Sequence, residues 1–366
     1  MADRQLRIGL DGRELTGQPT GVGRYVESLL REWSRDTSFH HQVTIFAAQG
    51  PAPKVVREDP RFVWRVLAAP TAGTWWEQTT LARAVNAADL DVFFAAGYTA
   101  PLRLTCPLVV AIYDVSFFAH PEWFSAREGW RRRWLTRSAA RRAARVVTIS
   151  EFSASEIVRW LGVPLGRVAI ARPGAPPTVD GPAAMTRPPV VLFVGSLFTR
   201  RHVPELIQAF AQAATRVPEA KLVLVGANRS QPRIDPRAIA AAAGAGQNVE
   251  WREYVADAEL DTLYAGARVF AFLSDYEGFG LTPLEAIAHG VPPVLLDTPI
   301  AREIFGDAAR LVPLRVDLVS DALVELLSDT RANAALVAAG RRSLSRYSWT
   351  EAAKTVRTAL EESAGR

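Results

Sequence analysis

Two successive series of short apolar runs, each run followed by a stretch with helical spacing, limit this chain to an α/β architecture. The first series reads LRIGLDG, VTIFAA, DVFFAAG, PLVVAIYD, ARVVTIS and RVAIARPG; the second reads PVVLFVGS, AKLVLVGA, NVEWREY, ARVFAFLS, VPPVLLD and ARLVPL. Runs this short and this apolar suit strands buried on both faces, and the helical segments between them supply the crossovers that parallel strands require. Between the series lies RPGAPPTVDGPAAMTRPP, whose proline and glycine mark an interdomain linker. The expected fold is two doubly wound Rossmann-like units. Ligands in such folds gather outside the carboxyl ends of the strands, so the loops leaving those ends are where function should be sought.

Composition agrees with two domains. A chain of 366 residues exceeds one compact core, and 49% hydrophobic residues can fill two. Cys106 is the single cysteine, which excludes an internal disulfide framework and points to a reducing compartment. The start, MADRQLRIGLDG, has no apolar core behind a basic head, and no run approaches the roughly 18 to 20 apolar residues that span a bilayer. A cytoplasmic, soluble protein is expected. The net charge is +5, written almost entirely in arginine, since lysine occurs only at 54, 221 and 354. Much of it lies in SAREGWRRRWLTRSAARRAARVV, a basic helix in which Arg131, Arg132 and Arg133 sit between Trp130 and Trp134. Three readings stay open for that helix: a nucleic-acid patch, a membrane-surface contact or a solvated face. Nucleic acid is the weakest, because no helix-turn-helix, zinc-finger or RNA-binding signature accompanies the patch.

The segment EGFGLTPLE carries two acids eight positions apart, Glu277 and Glu285, across a strand-to-helix turn. Gly278 and Gly280 let the backbone bend and approach a ligand, and the helix start behind them offers N–H groups to an anion. A competing reading makes the same residues a capping box, with Thr282 as N-cap, Pro283 at the first helical position and Glu285 reaching back. In the second series, strand VLFV leads to a loop with Arg200 and Arg201 and then a helix from about Val203. Two guanidiniums at such a junction can grip a diphosphate, or can be a solvated surface pair. In the first series, Gly21 and Gly23 precede a helix, where backbone N–H groups can approach a phosphate or sugar. That loop lacks the third glycine of a dinucleotide fingerprint, and no GxxxxGK or GxSxG occurs. The five histidines show no metal-ligand spacing, and Asp89-Leu90-Asp91 stands before a strand, away from the carboxyl ends.

GVGRY, YDVSFFAHPEWF, TISEFS, GSLFTRRH, LYAGARVFAFLSDYEGFGLTPLEAIAHGVPPV and FGDAARLV follow one another in an order that resembles retaining glycosyltransferases of the GT-B fold, family 4, group 1, typified by bacterial mannosyltransferases. The resemblance implies two Rossmann-like domains facing a cleft. Residues 1–175 would form the acceptor side, residues 188–346 the nucleotide-sugar side, and a terminal helix over 348–366 would return to the first domain. Carried over by position, Arg200 and Arg201 neutralise the donor diphosphate, with the N–H groups of Leu281 and Thr282 assisting. Glu285 binds the ribose, and Glu277, with the backbone of Phe279 and Gly280, holds the sugar. Val255 marks the segment that meets the base, and Gly21 and Gly23 approach the phosphates. No metal or other cofactor is implied, and the donor phosphate itself takes the acceptor's proton.

Two departures from the family pattern stand out. Arg200-Arg201-His202 replaces the usual Arg-Lys-Asn, and Tyr113-Asp114 replaces His-Asp at a pair next to the reaction centre. The tyrosine leaves two readings: a different donor sugar or reduced activity. The expected partners are a nucleotide sugar, GDP-mannose first, a glycan acceptor that can be lipid-linked, and an anionic membrane surface at the Arg/Trp helix. Nucleic acid is not expected. A UDP- or dTDP-sugar enzyme acting on a soluble metabolite is one alternative; a nucleotide-sugar-binding protein with little turnover is another.

Overall fold

The computed structural model describes residues 4–17, 20–69, 73–181 and 184–365. The chain forms two compact units, one of Met1–Gly174 with Ser348–Arg366 and the other of Ala175–Tyr347.

The first unit is built on a seven-stranded sheet. Its strands are β1 (Arg7–Asp11), β2 (Gln42–Ala47), β3 (Phe62–Val66), β4 (Val92–Ala95), β5 (Leu108–Ala111), β6 (Arg145–Thr148) and β7 (Val168–Ile170). They lie in the order β3-β2-β1-β4-β5-β6-β7, every neighbouring pair parallel. Strands β4 and β5 are buried at all four positions, as expected for a sheet with helices on both faces. Phe46, Phe93, Val110, Ile112, Phe117 and Ile157 share one core. The sequence pattern missed β3. Only Phe62 of its five residues is buried, because the strand stands at the sheet edge and pairs with β2 alone, and Arg65 interrupts its short apolar run FVWRV.

The terminal helix Trp349–Ala364 belongs to this first unit. It buries Ala352, Ala353, Val356 and Leu360 against helix Gly21–Arg35 and the sheet. Trp33 Nε1 donates to the Ala353 carbonyl at 3.1 Å, and Arg145 pairs with Glu362 at 2.5 Å.

The second unit holds a parallel six-stranded sheet of β8 (Val190–Val194), β9 (Lys221–Val225), β10 (Val249–Arg252), β11 (Val269–Phe272), β12 (Pro293–Leu296) and β13 (Arg310–Val312). Its order is β10-β9-β8-β11-β12-β13. Chain order reverses between β8 and β11, which pair through Val191 and Val269. The loops leaving these two strands therefore start side by side at the switch point, where doubly wound sheets open a crevice. In the first unit the corresponding position lies between β1 and β4.

Candidate active site

In the second unit the two switch-point loops are stitched together. After β8 the chain runs through Gly195 and Ser196 to a 3-10 turn, Thr199–Arg201, and then helix Val203–Arg216. After β11 it runs through residues 273–280 to helix Leu281–Ala288. Asp275 N donates to the Arg200 carbonyl at 3.0 Å, and Arg200 Nε returns a bond to the Tyr276 carbonyl at 3.3 Å. Arg201 donates Nε and Nη2 to Glu277 Oε1 at 3.0 and 2.9 Å, and Ser274 Oγ donates to the same oxygen at 2.9 Å. The Arg201 guanidinium lies 5.4 Å from the Phe198 ring centre and 4.8 Å from that of Phe272. Aromatic walls and a carboxylate thus hold a mostly buried cation in one orientation.

His202 completes the turn with a φ of 47°, left-handed and unusual for a residue other than glycine. Its Nε2 lies 2.6 Å from Asp275 Oδ2 and its Nδ1 lies 3.7 Å from Glu205. Burial disfavours the imidazolium, but the hydrogen bonds and charges of Asp275 and Glu205 outweigh it and raise His202 to about 9. His202 also holds Glu205 below the usual carboxylate range.

The acid pair is resolved into two different settings. Gly280, at φ 107°, is the N-cap of helix Leu281–Ala288, and no side chain caps that helix start. A Cβ at Gly280 would stand 2.9 Å from Phe305 Cζ, so both backbone and space demand glycine. The capping-box reading is therefore overturned: Thr282 is the second helical residue, not the cap. Glu285 Oε2 instead accepts from Tyr264 Oη at 3.0 Å, and Tyr264 stacks on His289 with ring centres 5.1 Å apart. A cavity of about 20 Å³, room for one water molecule, lies between Ser274, Glu277, Phe279, Gly280 and Phe305. Phe279 is buried, Leu281 and Thr282 are half-buried, and their N–H groups belong to the first helical turn.

Val255 lies elsewhere in this unit, in the turn between β10 and helix Asp257–Gly266. It is 8% exposed, whereas neighbouring Tyr254 is 79% exposed. The Val255 side chain faces inward, so a base contact from this segment must come from its backbone or its neighbours. Tyr264, Asp275 and the contacts of His202 escaped the sequence reading because they depend on elements distant in the chain, and no local spacing signals them.

In the first unit the expected glycines separate. Thr20 Oγ1 caps helix Gly21–Arg35 by accepting from Gly23 N at 2.9 Å. A Cβ on Gly23 would stand 2.2 Å from the Glu14 carbonyl oxygen. Gly23 is therefore required by packing, and its N–H is engaged by Thr20 Oγ1. Gly21 is exposed, with nothing near an added Cβ. Tyr113, expected next to the reaction centre, is 6% exposed and its hydroxyl donates to the Ala96 carbonyl at 2.8 Å. Its ring meets Tyr25 and Tyr98 edge-on, and burial raises its phenol well above the ordinary value. Asp114 is half-buried, accepting from Tyr98 Oη at 2.8 Å and from Ser116 N at 2.9 Å.

The basic helix spans Ala126–Arg142 and does not present one uniform face. Trp130 and Trp134 are 64% and 51% exposed, and Arg131 reaches Thr74, next to the 81% exposed Trp75. Arg132 instead lies over Tyr98 and Phe117, 4.9 and 4.8 Å from their ring centres, and Arg133 donates to the Phe117 carbonyl at 3.2 Å. These two half-buried arginines are engaged with the unit's own aromatic rings and backbone. Among the described residues, no helix is long and apolar enough to cross a membrane. Asp91 of the acidic triplet is held by Arg4 and the Arg7 backbone, at 2.6 and 2.7 Å.

Two family models match consecutive parts of the chain: "Glycosyltransferase Family 4" over residues 19–179 and "Glycosyl transferases group 1" over residues 180–343. The O-antigen chain mannosyltransferase B of Escherichia coli is 27% identical over 277 residues, 70% of this chain and 71% of that protein. A GDP-mannose-dependent alpha-(1-6)-phosphatidylinositol monomannoside mannosyltransferase of Mycolicibacterium smegmatis is 28% identical over 361 residues, 90% of this chain and 91% of that protein. Among solved structures, Anabaena HepE in complex with UDP and glucose superimposes with a TM-score of 0.75 at 18% identity, covering 98% of this chain and all of the other.

Proposed function

Because this chain belongs to the family 4, group 1 glycosyltransferases of the GT-B fold, we propose that it moves mannose from GDP-mannose onto a glycan carried by a lipid, with retention at the anomeric carbon. The observation that carries this reading is the stitched loop pair of the second unit, where Arg200, Arg201, Glu277 and the start of helix Leu281–Ala288 come together at the switch point. Mannose is favoured because both relatives described above are mannosyltransferases, and one of them is GDP-mannose-dependent.

In the proposed reaction, the donor's anomeric C–O bond breaks with its electron pair going to the departing diphosphate. The acceptor hydroxyl oxygen forms the new bond, and its proton passes to a donor phosphate oxygen. Negative charge grows on the diphosphate, so cations and N–H groups fixed beforehand lower the barrier. Arg200, Arg201 and the N–H groups of Leu281 and Thr282 fill that role without a metal. Arg201 is engaged with Glu277 in the present structure; a diphosphate accepting from Arg201 would leave the carboxylate to meet a sugar hydroxyl. Glu285, aimed by Tyr264, is assigned the ribose hydroxyls. The first unit is assigned the acceptor, with Asp114 as its candidate polar contact. Trp75, Trp130, Arg131 and Trp134 are assigned to an anionic membrane surface, in keeping with a lipid-carried acceptor.

A thermal-shift and hydrolysis screen across nucleotide sugars tests the donor. GDP and GDP-mannose should stabilise the protein most and GDP-mannose should be hydrolysed fastest. A larger shift with UDP, or turnover of a UDP-sugar alone, would replace this donor choice.

A further inference from the structure

We propose that His202 is a positioning residue of the diphosphate grip: clamped as an imidazolium between Asp275 and Glu205, it locks the turn that presents Arg200 and Arg201. The inference deepens the reading of the loop pair as the donor site and rests on it. Three observations converge. His202 holds a left-handed backbone, φ 47°, at the junction of the 3-10 turn and helix Val203–Arg216. A bulky side chain at that φ persists only where surrounding contacts over-determine it. Its imidazole, 17% exposed, spans from Glu205 on its own helix to Asp275 on the loop after β11. Finally, Asp275 N is bonded to the Arg200 carbonyl, so the residue that clamps His202 also fixes the backbone of the first arginine.

The charged groups facing His202 are Asp275 from the opposite loop and Glu205 from its own helix; Arg200 and Arg201 precede it in the turn. Two carboxylates against one ring explain why the charge persists beside two arginines. A neutral ring would keep at most one N–H to donate and would leave one carboxylate facing a lone pair. The turn should then loosen, and with it the placement of both guanidiniums. Donor affinity thereby becomes sensitive to alkaline pH through a residue that need not touch the donor.

The test is titration calorimetry of GDP and UDP with wild type, His202→Asn and Asp275→Asn between pH 7 and pH 10. Asn tolerates a left-handed backbone, so His202→Asn keeps the fold while removing the charge. At pH 7 each variant should bind about tenfold more weakly than wild type. The ratio of variant to wild-type affinity cancels the nucleobase's own titration. That ratio should approach one as pH rises through about 9, where wild-type His202 loses its proton. Equal affinity of wild type and both variants at pH 7, or a ratio constant across the range, overturns the positioning role. Wild type that binds neither nucleotide refutes the donor-site reading itself, which separates that failure from this one.

Discussion

At the scale of single residues, Glu285 and Tyr113 show how contact partners divide roles that sequence left together. Glu285 was legible as an acid near a helix start, but its partner was not: Tyr264 lies 21 positions away, on the helix between β10 and β11. Glu285→Gln keeps an oxygen to accept from Tyr264, so the melting temperature should hardly move. Loss of the carboxylate should weaken GDP binding by about tenfold, measured by calorimetry, since hydrogen bonds to charged groups are worth about 1.5–3 kcal/mol. Tyr113→Phe should behave in the opposite way. Its hydroxyl satisfies the buried Ala96 carbonyl, so removal should cost about 1–3 kcal/mol in urea unfolding and leave nucleotide affinity unchanged. Tyr113 was legible as a departure from a family pattern, but not as a buried side chain, because burial on a strand end depends on Tyr25 and Tyr98 from other elements. His202 supplies a pH signature. Its folded value, about 9, stands above the unfolded 6.5, so its stabilisation is complete below about 6.5 and is lost as pH rises through 9. The melting temperature should therefore fall between pH 7 and pH 9.5 more in wild type than in His202→Asn.

At the scale of elements, the helix behind the acid pair changes character. TPLE spells a capping box, and local sequence alone favours it; the left-handed Gly280, set against Phe305, starts the helix two residues earlier. Thr282→Ala should consequently change stability by less than about 0.5 kcal/mol, against the roughly 1 kcal/mol expected on removing a true N-cap. Thr20→Ala, at an actual cap, should show that larger loss. Strand alternation was the most legible feature, since buried parallel strands write themselves as apolar runs. Edge strand β3 was not legible: Arg65 interrupts its short apolar run FVWRV, and its exposed Val63 and Val66 follow from a place at the sheet edge that local sequence does not signal. The loop pair was half legible. Each loop could be read from its glycines, arginines and acids, whereas the stitching between them follows from β8 and β11 being neighbours, which is a property of sheet order.

At the scale of the whole molecule, the arginine-rich helix illustrates why counting charges misleads. Its run of three arginines reads as one basic face, but 3.6 residues per turn send Arg132 and Arg133 inward and leave Arg131 outside with Trp130 and Trp134. Flotation with anionic liposomes should therefore lose binding in a Trp75→Ser, Trp130→Ser, Trp134→Ser variant. Arg132→Gln should chiefly destabilise the first unit, by removing a cation from an aromatic cage. In the second unit, the stitched loops are proposed to grip a diphosphate. Calorimetric comparison of GDP with GMP, and of UDP with UMP, in wild type and Arg200→Gln tests it directly. The diphosphate of the preferred base should bind wild type at least about tenfold more tightly than its monophosphate, and Arg200→Gln should narrow this gap. Equal affinity for mono- and diphosphate, or a gap that survives the substitution, would contradict it.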